Sequence, residues 1–215
     1  MATGKKYSLI KTKSNMNFKK SLIKFSLVLI LFSTFVEKSF SLEPGKFVQS
    51  VVDEASLVLT KNFTKEQKIE KLQSIAKKSV DIRGIGLYTL GTHRKNLSED
   101  QKKEYSKLFE GYFLKSFASR LSDYTDPKIN VVGSKKLNEK YTIVSSVLVA
   151  TDKRPEVKID WRIYTKNPDE PLIRDLIIEG LSLARTLKEE FNSIIQSNDG
   201  NIYALFTNLK EFINK

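Results

Sequence analysis

Two carboxylates, Asp175 and Glu179, are the side chains whose type and spacing come nearest to chemistry. They sit in the apolar run Leu-Ile-Arg-Asp-Leu-Ile-Ile-Glu-Gly of residues 172–180. Two acids in one apolar cavity can divide general acid and general base roles when their surroundings differ. Read as positions on one face of a strand, however, residues i and i+4 lie about 13 Å apart, too far to cooperate. Capping, turn stabilisation or pairing with Arg162 or Arg174 accounts for them better. An enzyme working through Asp175 or Glu179 stands as the alternative function.

His93 is the single histidine and lies beside Arg94 and Lys95, with no carboxylate spaced for a triad. The chain has no cysteine, which removes disulfides, thiolate ligands, cysteine nucleophiles and a lipid-modified N-terminal Cys. One histidine and no cysteine make a transition-metal site a poor reading, and no cofactor is expected. A net charge of +12 raises nucleic acid as a partner. Residues 1–41, though, hold eight lysines and one acid, which is +7 of the total and leaves +5 on the rest. That remainder has no basic stripe with interleaved aromatics, so no nucleic-acid partner is expected.

The elements that position the two acids follow from the hydrophobic period. Residues 172–179 read as a strand, Gly180 permits a bend, and the period then becomes that of a helix. Upstream, residues 16–41 read as an export signal: a basic start at Lys19, Lys20 and Lys24, an apolar run over 25–36, and small residues at Ser39 and Ser41. The run is short for a membrane span of about 20 residues, and an uncleaved anchor is the alternative. Met16 is then the natural start. Residues 1–41 are an upstream extension and secretion signal peptide, and 42–215 a single domain outside the cytoplasm.

That domain opens with Pro44 and a helical pattern through Val48, Val51, Val52, Ala55 and Leu59. Thr64 to Gln67 and Ser98 to Gln101 are capping boxes, each starting a further helix. Between them lies a short apolar helix with glycines at 84 and 86, whose cost implies close approach of a neighbouring backbone or ligand. The helix from Ser98 carries an i+4 ridge of Phe109, Phe113, Phe117 and Leu121. Its apolar stripe is wider than one packing partner requires, and ordinary core packing would explain it as well.

From Asp126-Pro127 the pattern turns to strands, over 128–132, 141–151, 157–163 and 172–179. In the second, Tyr141, Ile143, Ser145, Val147 and Val149 share a face. In the third, Val157, Ile159, Trp161 and Ile163 do. Short links predict an antiparallel meander, and helices over 186–196 and 202–212 close the chain. The fold class is α+β, with helices gathered on one face of a curved antiparallel sheet.

Several stretches together resemble one family. They are Leu90-Gly91-Thr92-His93-Arg94, Leu97-Ser98-Glu99-Asp100-Gln101, Val157-Lys158-Ile159-Asp160-Trp161-Arg162, and Arg174-Asp175-Leu176-Ile177-Ile178-Glu179-Gly180-Leu181-Ser182. In order and spacing the chain is similar to the MlaC, or toluene-tolerance auxiliary, family of periplasmic phospholipid-binding proteins. The last stretch looks like that family's D-(x)3-E-G-(x)-S strand and turn. His93 departs from it, standing where the family commonly has an aromatic residue.

The resemblance implies a ketosteroid-isomerase-like cone of antiparallel sheet, wrapped by helices around an apolar cavity for acyl tails. It implies a periplasmic carrier that shuttles phospholipid between an outer-membrane lipoprotein–porin complex and an inner-membrane ABC transporter with a hexameric lipid-binding subunit. Outer-membrane lipid asymmetry would be maintained in that way, without catalysis. On this reading tails are expected against Ile82, Ile85 and Tyr88 of the glycine-containing helix, and against Phe109, Tyr112, Phe113 and Phe117 of the long one. From the strands come Val147, Val149, Val157, Ile159, Trp161 and Ile163, then Leu176, Ile178 and Leu181.

Overall fold

Capping and period set the helices in the computed structural model, which describes Met1, residues 42–152 and residues 154–215. The expected secretion signal and the extension before it lie outside the described residues. The chain divides into two compact units, Met1–Phe40 and Ser41–Lys215, and all described residues but Met1 fall in the second.

Helix α1 (Pro44–Thr60) starts on its proline, whose fixed φ suits a first turn. Helix α2 (Lys65–Ser79) opens on the expected capping box. The Thr64 hydroxyl accepts from the Gln67 amide at 3.2 Å, and Gln67 Oε1 accepts from the Thr64 amide at 3.1 Å. Helix α3 (Ile82–Thr89) is capped by Asp81, which accepts from the Gly84 amide at 2.8 Å. A 3-10 turn (His93–Asn96) follows, with His93 Nε2 at 3.1 Å from Asn192 Oδ1. Ser98 and Gln101 then repeat the capping box at α4 (Glu99–Ser122).

The close approach expected at Gly86 is made by an aromatic ring. A Cβ there would stand 2.8 Å from Phe109 Cδ1, so only glycine lets α4 press its ring against α3.

Among the described residues five strands follow: β1 (Ile129–Lys136), β2 (Tyr141–Leu148), β3 (Val157–Tyr164), β4 (Leu172–Ile178) and β5 (Leu181–Ser182). Each pairs antiparallel with the next, in the order β1-β2-β3-β4-β5. Two irregularities bend this open sheet. Val132 is an extra residue between the pairs Val131–Ser146 and Gly133–Ser145, and Arg174 is extra between Arg162–Asp175 and Ile163–Ile173. Such bulges add twist and curvature. Helices α5 (Leu183–Gln196) and α6 (Ile202–Asn214) complete the α+β fold.

Strand β2 requires a correction. Tyr141, Ile143, Ser145 and Val147 share a face, but the buried face is the other one, of Thr142, Val144, Ser146 and Leu148. Both parities carry apolar residues, so hydrophobicity alone does not choose between them. Hydrogen bonding does: Ser146 meets the buried Trp161 indole at 2.8 Å, while Ser145 donates to Asp160 at 2.6 Å on the opposite side. Strand β1 also runs past the expected residue 132, because Ser134, Lys135 and Lys136 keep pairing with β2 despite exposed side chains.

The core is divided. Helices α3 to α6 pack around Tyr105, Phe109, Phe191 and Phe206. Helix α1 packs on the sheet through Phe47, Val48 and Val52 against Val144, Trp161 and Ile163. Helices α1, α2 and α4 meet at Leu59, Leu72, Ile75 and Ala118. The Tyr105 hydroxyl finds a buried partner in Thr89 at 2.7 Å, and burial raises its phenol above the ordinary range.

Candidate functional site

Where the three packing clusters would meet, they leave a space. A cavity of about 390 Å³ lies between the sheet and helices α1, α2, α4 and α5. Pockets for small molecules span about 300–1,000 Å³. Its wall draws on every cluster: Ile85 and Ala184 from the first, Val52, Ile159 and Trp161 from the second, Leu59, Leu72 and Ile75 from the third. At the α1–α2 end the lining residues Leu59, Leu72, Ala76 and Ser79 are buried. At the other end Tyr124 and Leu183 are 40% and 41% exposed, and Phe117, Leu121, Val157, Ile178 and Leu187 are half-buried. The cavity therefore has a closed floor and an open mouth, with almost wholly apolar walls.

Of the residues expected to meet ligand, Ile85, Phe113, Phe117, Val157, Ile159, Trp161, Leu176 and Ile178 line this space. The ridge on α4 is split between cavity and core. Phe113 and Phe117 stack at 5.6 Å in the cavity wall, with Leu121 beyond them. Phe109 instead packs edge-on against Phe191 in the helical cluster, where Ile82 and Tyr112 also lie. Tyr88 is 42% exposed and outside the cavity lining, with the Lys188 ammonium 5.5 Å from its ring. Ile163 is fully buried between β3 and α1. Val147 lies on the outer parity of β2, and Val149 continues that parity beyond the strand end. Leu181 is 69% exposed just past the turn at Gly180.

Much of the floor comes from residues not expected there: Val51, Val52, Ala55 and Leu59 of α1, and Leu72, Ile75 and Ala76 of α2. Their helical spacing is plain in the sequence. Nothing in it tells a face turned toward a neighbour from a face turned toward a space. Arg154 and Tyr124 at the mouth carry no sequence signal at all.

The two carboxylates do not form a pair. Strand β4 ends at Ile178, so Glu179 is not on it. Glu179 and Gly180, at φ 48° and 83°, form the two-residue turn to β5. The Glu179 carboxylate is exposed and accepts from the Lys158 amide at 2.5 Å. Asp175 is buried and lies in the cavity wall. One of its oxygens accepts from the Ser182 hydroxyl at 2.6 Å and the other from the Ala184 amide at 3.0 Å, with Arg162 Nη1 3.9 Å away. Capping, turn formation and the Arg162 contact are thus all realised. Arg174 pairs with Asp81 instead, and its guanidinium lies 4.4 Å from the Tyr164 ring. Ser182 also caps α5, accepting from the Arg185 amide, which explains why that helix begins at Leu183 rather than 186.

A family model described as MlaC protein matches residues 49–211, most of the chain. The chain belongs to the MlaC family. Among solved structures, a similar one is the phospholipid-binding protein from Ralstonia solanacearum, in complex with a phospholipid. It is 17% identical, with a TM-score of 0.68, over 80% of this chain and 98% of that one. At such identity the likeness is one of fold. Among curated proteins none matches this sequence. In this MlaC-family chain the Asp175-to-Ser182 stretch serves the fold, since its acid, turn and serine join the last long strand to α5. No helix among the described residues is long and apolar enough to cross a membrane.

Proposed function

We propose that this MlaC-family chain is a non-enzymatic periplasmic phospholipid carrier, sheltering acyl tails in the cavity while the headgroup stays at the mouth. It would take lipid between an outer-membrane lipoprotein–porin complex and an inner-membrane ABC transporter with a hexameric lipid-binding subunit, maintaining outer-membrane lipid asymmetry. The export signal read in residues 16–41 fits that location. The observation that carries the reading is the cavity itself, with a closed floor, an open mouth and mostly apolar walls. A relative in complex with a phospholipid, sharing this fold, supports it.

The physics of a carrier agrees. Each CH₂ left in water costs about 0.8 kcal/mol, so tails need cover in transit. A bilayer covers them equally well, so a site much tighter than the membrane could not release its cargo. Generic aliphatic and aromatic walls match lipid without exceeding it. Native mass spectrometry with organic extraction, on protein purified from bacterial periplasm, tests the reading. Phospholipid is expected at near-stoichiometric occupancy. A stable protein recovered empty would overturn it.

A further inference from the structure

Two charged side chains stand in the cavity's described lining, Asp175 and Arg154. Both oxygens of Asp175 are committed to Ser182 and Ala184. Arg154 is only partly committed. Its Nη2 donates to the Val149 carbonyl at 3.3 Å, and its guanidinium carbon lies 5.6 Å from the centre of the Tyr124 ring. Its Nε is buried and has no partner. Among the described residues no carboxylate pairs with it, and the neighbouring Asp152 and Glu156 are exposed. The backbone is pinned in a tight reversal, Thr151 amide to Arg154 carbonyl at 2.8 Å and Arg154 amide to Thr151 carbonyl at 3.1 Å. The side chain therefore leaves a fixed base at the mouth.

Arginine keeps its charge in any protein environment, so a guanidinium in a cavity's lining with no carboxylate beside it calls for an anion. Planar N–H donors and phosphate oxygens make short, charge-assisted hydrogen bonds. We propose that Arg154, flanked by Tyr124, binds a non-bridging phosphate oxygen of the lipid whose tails occupy the cavity. The inference rests on the carrier reading. It makes the phosphate group the selected feature and explains how a lining generic toward tails can still prefer a phospholipid to a neutral diacyl lipid. A free phosphate ion has the same chemistry but lacks tails to hold it there.

The test offers delipidated protein, purified from periplasm, to phosphatidylethanolamine vesicles holding an equal amount of diacylglycerol with the same chains. Bound lipid is then extracted and weighed by mass spectrometry. Wild type is expected to favour phospholipid by about tenfold, the scale of one charge-assisted hydrogen bond. Arg154→Met is expected to bring the ratio near one while still loading diacylglycerol. Protein that loads neither lipid overturns the carrier reading, and this proposal with it. Loading of both lipids at equal ratio by wild type, or an unchanged preference in folded Arg154→Met, overturns this proposal alone. Should the variant not fold, the Arg154 Nε–H resonance of wild type decides. It is expected to shift on phospholipid loading and to stay in place with diacylglycerol; no shift with phospholipid overturns the proposal. Millimolar inorganic phosphate, given to delipidated protein, should leave it in place too. A shift with phosphate alone would reassign the site to a free anion and overturn the headgroup reading.

Discussion

Trp161 and Ser146 are diagonal neighbours on adjacent strands, the indole N–H donating to the serine hydroxyl at 2.8 Å. That hydroxyl donates in turn to the Ile159 carbonyl at 3.1 Å, and the residues of this chain are buried. A large aromatic can thus form part of the cavity wall while its polar atom is satisfied within the sheet. Ser146→Ala would leave the indole N–H unpaired, at a cost of about 1–3 kcal/mol in urea unfolding of delipidated protein. Adding Trp161→Phe removes the orphaned donor, so the double variant should lose less than the two single losses combined. Strict additivity would show that the bond contributes nothing to stability.

Ile159 separates a cavity from a core. It lies on the inner face of β3 and lines the space. In a filled core Ile159→Trp would overpack by about 1–3 kcal/mol. Here the larger ring should enter volume meant for ligand. The delipidated variant should unfold near the wild-type temperature, with co-purified lipid sharply reduced. Delipidated references are needed, because bound ligand raises stability by mass action. A destabilised protein with normal occupancy would place the pocket elsewhere.

Asp175 offers a direct test of the enzymatic alternative. With both oxygens engaged, Asp175→Asn should cost about 1–2 kcal/mol through the weakened cap of α5. Lipid loading and transfer should persist in whatever fraction is folded. Loss of transfer by a fully folded Asp175→Asn protein, measured between donor and acceptor vesicles, would return the carboxylate to a chemical role.

At Gly86 the expected effect is steric. A Cβ would stand 2.8 Å from Phe109 Cδ1, and that ring is fully buried with no room to retreat. Gly86→Ala should therefore lower stability by about 1–3 kcal/mol despite alanine's better helix propensity. Thermal unfolding checks this, and an unchanged or raised midpoint would mean that α3 and α4 can part without cost.

Local rules made the helices legible. Pro44, the Thr64 and Ser98 capping boxes and the apolar spacing of each helix act within a few residues, and each stands where the sequence puts it. The meander was legible for the same reason, since short links leave little choice of partner. The parity of β2 was not, because both of its faces are apolar and the deciding contact, Ser146 to Trp161, lies 15 residues away in sequence. The split of the α4 ridge was hidden in the same way: Phe109 is fully buried because Gly86 and Phe191 come to meet it, while Phe113 and Phe117 pack against the edge of that cluster and stay half-buried in the cavity wall. An apolar side chain is selected alike by a protein neighbour or a lipid tail, since both exclude water. The sequence by itself therefore determined which faces must be covered. Only the tertiary structure, by leaving three clusters apart, decided which of them the protein does not cover.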